Sequence, residues 1–288
     1  MSLPQQASLS VLTWKAPETL SRTLQSLKPL QGLFSDRVVI CQESDPREME
    51  LAVRHGFHAV AVPHNVGIQE GLALAVEKAA SDLVVVLEND CNYVGGEVGK
   101  VQLQTCLSLV KTHGLDVVKL GELPTIPRKK YMKYWGSQFP PKRTLLGMLR
   151  RNEANLYKAE VLAFAEFDPG AVPEIDRLAD GLFVTSSKYA VWTNRAFLVS
   201  KEFFLGRLLQ FARSNPTSRL VNGLPDLEHA INSPQNRNWW RKQNFRIGLV
   251  KPGLFGHLRY DRPVLDEKRG SDAEEPRADQ QAIETSAE

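Results

Sequence analysis

The chain has 288 residues, of which 42% are hydrophobic and 24% charged, with 19 glycines and 17 prolines. That is room for one large domain or two small ones, in a globular mixture that excludes collagen-like, disulfide-scaffold and wholly disordered classes. The formal net charge of +3 hides an asymmetry: residues 266–288 hold eight acids against three bases, so the rest of the chain is net basic.

The three cysteines, Cys41, Cys91 and Cys106, are too few for a disulfide framework and too widely spaced for a Cys-x-x-Cys metal site. Cys41 and Cys106 lie in apolar-patterned segments and read as small core residues of a reducing compartment. No apolar run reaches the roughly 18 residues of a membrane span. The first residues, Met-Ser-Leu-Pro-Gln-Gln, have neither a basic nor an apolar leader region. The expectation is a soluble, cytoplasmic protein.

In chain order, Leu9–Thr13 predicts a strand, and Leu20, Leu24 and Leu27 mark one face of a helix opened by Pro17. Arg37–Cys41 predicts a second strand, followed by a helix from Pro46 that stops at Gly56. Phe57–Val62 is a third strand, and Ile68, Leu72, Ala75, Val76 and Ala79 form the apolar stripe of the next helix. Leu83-Val-Val-Val-Leu87 is apolar throughout, as for a strand buried on both faces. A helix over Glu97–His113 and a strand over Asp116–Leu120 complete four βα units and a fifth strand. This is an α/β fold with a mainly parallel, Rossmann-type sheet flanked by helices.

Beyond Leu120 the pattern loosens. Residues 128–151 carry eight bases and no acid, with Tyr131, Tyr134, Trp135 and Phe139 interleaved, and read as a long loop or partly helical insert. Ala190–Asn194 predicts a short strand, Ala196–Phe204 a helix, Asp226–Ile231 a short helix and Phe245–Val250 a strand. No linker interrupts residues 1–265, which are expected to form a single domain. Residues 266–288 have no aromatic and one isoleucine, too little apolar surface to offset ordering entropy, and are expected to be a disordered acidic tail.

Ligands of open parallel sheets bind at the carboxyl ends of the strands. The first strand exits into Thr13-Trp-Lys-Ala-Pro17, without the Gly-x-Gly-x-x-Gly turn of dinucleotide enzymes; Gly-x4-Gly-Lys-Ser/Thr and Gly-x-Ser-x-Gly are absent as well. These absences argue against nicotinamide dehydrogenases, P-loop ATPases and α/β-hydrolases. The second strand exits into Gln42-Glu-Ser-Asp45, polar groups suited either to a base or ribose or to capping the helix at Pro46. The fourth exits into Glu88-Asn89-Asp90. Two carboxylates this close repel unless neutralised, and a hard divalent cation with oxygen ligands would do so. The competing reading is a solvated acidic loop.

The order of these features resembles the GT-A-fold, family-2-like glycosyltransferases. Ser10–Thr13 with Glu18–Leu24 looks like their opening strand and helix, and Val38–Asp45 like their nucleotide-base strand. His64-Asn-Val-Gly67 resembles their Asn-x-Gly segment, and Leu87-Glu-Asn-Asp90 their Asp-x-Asp metal motif in a Glu-x-Asp form. The resemblance covers residues 8–120, a nucleotide-sugar-binding half, and leaves 121–265 as an acceptor-binding half in which 121–189 aligns with nothing.

It implies a metal-dependent, inverting transfer of a hexosyl group from a nucleotide-diphosphate sugar to a hydroxyl acceptor. Mn²⁺ or Mg²⁺ would be held by Glu88, Asp90 and His257 of Gly253-Leu-Phe-Gly-His257. Thr13, Glu43, Asn65, Gly67 and Asn89 would contact the donor. Asp226 would be the base, with Glu228 as substitute. A helix N-terminal carboxylate is the competing reading of Asp226, and a structural histidine that of His257. The basic stretch 128–151 is either a solvated insert or a surface for an anionic acceptor, a glycan or phosphorylated lipid. The latter would allow peripheral membrane contact, while the lack of a recognised RNA or DNA module disfavours nucleic acid. Two other functions stay open: a catalytically degenerate nucleotide- or glycan-binding protein, and a sugar-nucleotidyltransferase, for which Lys15 alone stands in place of a basic glycine-rich loop.

Overall fold

The structure, a computed structural model, describes residues 7–122 and 174–261. The basic stretch 128–151 and the acidic tail 266–288 lie outside the described residues.

The first half follows the sequence pattern closely. It runs β1 (Ala7–Thr13), α1 (Pro17–Ser26), a 3₁₀ turn (Lys28–Leu33), β2 (Asp36–Gln42) and α2 (Pro46–Arg54). Then come β3 (His58–Val62), α3 (Gly67–Glu77), β4 (Leu83–Glu88), α4 (Gly96–Thr112) and β5 (Val117–Lys119). Asp45 caps α2, its carboxylate accepting from the Arg47 N–H at 2.8 Å, and Pro46 supplies the first helical φ. Pro17 opens α1 in the same way.

The second half contains β6 (Asp176–Ala179), β7 (Leu182–Ser186) and β8 (Phe197–Ser200). Helix α5 follows in three consecutive pieces, Lys201–Phe203, a π-helical Phe204–Leu209 and Gln210–Ser214. A small hairpin, β9 (Leu220–Val221) and β10 (Leu224–Pro225), precedes α6 (Leu227–Asn232), α7 (Arg237–Gln243) and β11 (Arg246–Val250).

The nine-stranded sheet has the order β3-β2-β1-β4-β8-β5-β11-β7-β6. Strands β7 and β8 run against the other seven, so the sheet is mainly parallel, as expected. Successive residues of a strand serve opposite layers. Leu83, Val85 and Leu87 of β4 join Leu20, Leu24 and Cys106 in the core under α1, α2 and α4. Val84 and Val86 join Leu72, Phe204 and Trp240 in the core under α3 and α5–α7. Cys41, Cys91 and Cys106 are free and buried.

Two expectations are corrected. Ala190–Asn194 is not a strand: the Trp192 N–H donates to Asn232 Oδ1 at 3.2 Å, and Asn232 Nδ2 returns a bond to the Trp192 carbonyl at 2.8 Å. Side chains there satisfy the backbone that a neighbouring strand would otherwise pair. The helix expected over Ala196–Phe204 starts only at Lys201, because Phe197–Ser200 inserts antiparallel between β4 and β5. Three apolar residues, Phe197–Val199, buried on both faces carry no period to separate strand from helix.

Candidate active site

The carboxyl ends of β1, β2 and β4 share one edge of the sheet, because all three strands are parallel and Leu12 of β1 sits in register with Glu88 of β4. A cavity of about 500 Å³ opens there. Thr13 and Trp14 after β1, Gln42 at the end of β2, Asn65 and Gly67 at the start of α3, and Glu88 and Asn89 of β4 line it. Arg219–Asn222 of the β9–β10 hairpin, together with Arg259 and Asp261, close the other side.

Glu88, which lines this cavity, Asp90 and His257 each offer a ligand atom, all within 4.8 Å of one another. Asp90 is fully buried, and its Oδ2 lies 3.3 Å from His257 Nε2. Burial first, then the Asp90 and Asp226 carboxylates, push the Glu88 carboxyl up to about 8. Burial also lowers His257, and Arg195 and Arg259 add to that against the opposing pull of Asp90. A neutral imidazole and two carboxylates are the donor set of a hard or borderline divalent cation such as Mn²⁺ or Mg²⁺. Two crowded carboxylates, one of them with its proton held on by burial and like charge, fit such an ion.

His257 arrives on a strap, residues 256–261, fastened along its length. The Gly256 N–H donates to the Asn92 carbonyl and the Leu258 N–H to the Asp90 carbonyl, both at 2.8 Å. At the far end Asp261 accepts from the backbone N–H groups of Glu18 (2.9 Å) and Thr19 (3.1 Å) and from the Thr19 hydroxyl. These are orphan donors at the start of α1, so the carboxylate serves as a cap supplied from 242 residues away in sequence. Between the anchors, Arg259 donates from Nε (3.1 Å) and Nη2 (2.8 Å) to Asp90 Oδ2.

The residues expected to contact the donor fall into three groups. Asn65 and Gly67 line the cavity through an Asx turn, with the Gly67 N–H on Asn65 Oδ1 at 2.8 Å. Gly67 has φ +81°, and a Cβ there would stand 2.7 Å from Leu224 Cβ of the hairpin. Thr13 and Asn89 also line it, yet their polar atoms face inward. Asn89 Nδ2 donates to Thr13 Oγ1 at 3.1 Å, and Thr13 Oγ1 donates to Glu48 Oε1 at 2.7 Å. Glu48 is fully buried and also accepts from the Ala16 N–H at 2.8 Å; burial raises its pKa. Glu43 is placed differently: it stands outside the cavity lining, held by Lys15 Nζ at 2.7 Å and Trp14 Nε1 at 3.0 Å. Lys15, Glu43 and Ser44 all have positive φ, a strained conformation that neighbouring contacts must hold in place.

Asp226 is the N-cap of α6, with Oδ2 accepting from the His229 N–H at 3.1 Å and Oδ1 from Asn194 Nδ2 at 2.5 Å. The capping reading of Asp226 is therefore present in the structure. Glu228 is half-buried, with Oε2 on the Asn194 N–H at 3.2 Å. Both acids are close enough to Glu88 to raise its pKa. Asn194 is held in turn by Trp192 Nε1 at 3.0 Å, while Ala196 and Phe197 next to it are core.

Sequence reasoning passed over Trp14, Glu48, Arg259 and Asp261. For the last two a signal existed. In Gly256-His-Leu-Arg-Tyr-Asp261 the polar residues alternate from His257 onward, as an extended strap presenting one face would require.

No protein-family model matches the chain, and no curated protein matches it in sequence. Solved structures do match. Glucosyl-3-phosphoglycerate synthase from Mycobacterium tuberculosis, in complex with Mn²⁺, uridine diphosphate and glucosyl-3-phosphoglycerate, is similar at 15% identity and a TM-score of 0.45. That match covers 90% of this chain and 73% of the other. A crystal structure described as a mycobacterial protein matches at 16% identity and a TM-score of 0.45, over 90% and 69% of the two chains. TarS 1–349 from S. aureus matches at 12% identity and a TM-score of 0.47, over 88% of this chain and 60% of its own. What the site does is read from its own residues.

Proposed function

We propose that the chain is a metal-dependent glycosyltransferase of the GT-A kind, moving a sugar from a nucleotide-diphosphate donor to a hydroxyl acceptor. The observation that carries this reading is the convergence of Glu88, Asp90 and His257, of which Glu88 lines the cavity formed by the ends of β1, β2 and β4. Residues 8–120 are the donor half and 121–265 the acceptor half of one domain.

These three residues would hold Mn²⁺ or Mg²⁺, which supplies electrostatic stabilisation of the charge that grows on the leaving diphosphate. The chain's own residues do the rest. Trp14 and Gln42 flank the nucleoside side of the cavity, and the Asx turn at Asn65–Gly67 presents backbone close to it. The Glu48–Thr13–Asn89 chain of hydrogen bonds holds the loop after β4, and with it Glu88 and Asp90, at a fixed distance from β1. An acid at the start of α6 takes the acceptor proton. Asp226 remains the first assignment and Glu228, which has an oxygen with fewer partners, the second. In-line attack assisted by such a base inverts the anomeric centre.

The deciding experiment is calorimetry with UDP and GDP, each with and without Mn²⁺, on wild type and Asp90→Ala. Metal-dependent binding of one nucleotide that the variant loses is the expected result and names the donor class. Binding indifferent to both metal and Asp90 places the site elsewhere, and no binding to either shifts weight to a degenerate sheet. Charge reversal at Lys129, Lys130 and Lys133 tests the acceptor side separately: an anionic acceptor requires its KM to rise.

A further inference from the structure

Asp90 is fully buried, and a buried carboxylate needs a partner. In the structure that partner is Arg259, whose Nε and Nη2 both donate to Oδ2, the oxygen that also faces His257 Nε2. Oδ2 is thus the point at which guanidinium, imidazole and any incoming cation meet. A divalent ion and Arg259 compete for it.

We propose that Arg259 is a second cation of the site, one that Asp90 releases on metal binding and that then binds the diphosphate of the donor. This rests on the glycosyltransferase reading and goes further by naming the residue that meets the diphosphate. Three observations support it. Arg259 lines the cavity, and its side chain is nearly half exposed, so it has room to turn without leaving the pocket. The backbone around it is tied to Asp90 on one side and to α1 on the other, so the exchange requires a change of side-chain rotamer alone. Asp90 Oδ2 also takes both guanidinium bonds while facing His257 Nε2, so a cation drawn to Glu88, Asp90 and His257 meets the oxygen that Arg259 occupies. A planar guanidinium fork matches phosphate oxygens in two parallel bonds.

The competition gives opposite signs that a merely structural arginine would not. The test uses Arg259→Met, which keeps the apolar stem, and Arg259→Lys, which keeps the charge without the fork. Free Mn²⁺ is followed by its paramagnetic resonance signal, and inorganic pyrophosphate and UDP are then titrated at saturating Mn²⁺. Arg259→Met is expected to bind Mn²⁺ alone about tenfold more tightly and pyrophosphate about tenfold or more weakly, the scale of one or two charge-assisted hydrogen bonds. Arg259→Lys should fall between it and wild type on both measures. Parallel weakening of Mn²⁺ and pyrophosphate would mean that Arg259 only props the strap, and unchanged values would remove it from the site; either overturns the proposal. If wild type binds Mn²⁺–pyrophosphate but neither UDP nor GDP, and the variant still shows opposed shifts, the role of Arg259 stands and the nucleotide reading fails.

Discussion

Glu88 and Asp90 are two residues apart in sequence yet differently placed: Asp90 is fully buried against a guanidinium, whereas Glu88 is half-buried and pushed up to about 8 by burial and by Asp90. An acid whose folded pKa lies above its unfolded value of about 4.3 contributes stability at low pH and loses it as pH rises through the folded pKa. Metal binding requires the ionised form. The apparent Mn²⁺ affinity is therefore expected to climb from pH 6 to 8 and level off above it. Calorimetry in buffers of different ionisation enthalpy should show close to one proton released per ion at pH 6.5 and none above pH 9. A flat profile would mean that Glu88 is already ionised. At α6, Asp226→Asn keeps an oxygen for capping and is expected to melt within about 1 kcal/mol of wild type. The same change should lower transfer by about 10²–10⁴-fold, the usual weight of a general base. If turnover survives there and falls in Glu228→Gln, the base is Glu228 and Asp226 is only a cap. The Glu-x-Asp motif was legible in sequence because it ends an apolar strand. Asp226 was ambiguous, because a cap and a base call for the same residue at the same helix position.

At the scale of elements, the strap 256–261 and the β9–β10 hairpin complete a site whose floor is the sheet. Asp261 ties the strap to the start of α1. Asp261→Ala should cost about 0.5–2 kcal/mol, the range of a lost helix cap, and should also weaken Mn²⁺ binding, although Asp261 lies outside the Glu88–Asp90–His257 cluster. A melting shift with metal affinity intact would separate the strap from the site. Gly67 meets two constraints at once, a φ of +81° and the approach of Leu224. Gly67→Ala is expected to lose about 1–3 kcal/mol of stability through backbone strain alone, and nucleotide binding should fall further as the hairpin moves off α3. Denaturant midpoints compared with UDP affinity would divide the two effects. The strap's alternation from His257 to Asp261 is too short to say what it packs against, and the hairpin has no period at all, so sequence could nominate His257 but not the contacts that hold it. The β8 insertion was missed for a related reason: three apolar residues hidden on both faces look the same in a helix or a strand.

For the whole molecule, the two apolar layers are independent of ligand, whereas the acidic site, where Arg259 already meets Asp90, would gain further counter-charge from a bound cation. Binding to the folded state alone adds RT ln(1 + [L]/Kd), about 2.7 kcal/mol at a hundredfold excess over Kd. Mn²⁺ with the matching nucleoside diphosphate should therefore raise Tm well beyond either alone, and Asp90→Ala should abolish the increment while leaving the ligand-free Tm close to or above that of wild type only if Arg259 is accommodated by solvent. Scanning calorimetry on the four combinations reads this directly.

The sequence by itself determined the βα alternation through β5, the start of α2 at Pro46, the core placement of Cys41 and Cys106, and the carboxylate pair at the end of β4. Each is written in a local period or in the step from an apolar run to polar residues, and needs no distant partner. Only the tertiary structure decided that Phe197–Ser200 enters the sheet reversed and that Glu43 turns outward to Lys15. It also decided that Arg259, 169 positions beyond Asp90, reaches the same carboxylate oxygen that His257 faces. Those contacts depend on how helices and strap pack over the sheet, and packing between distant segments leaves no periodic trace in a single chain.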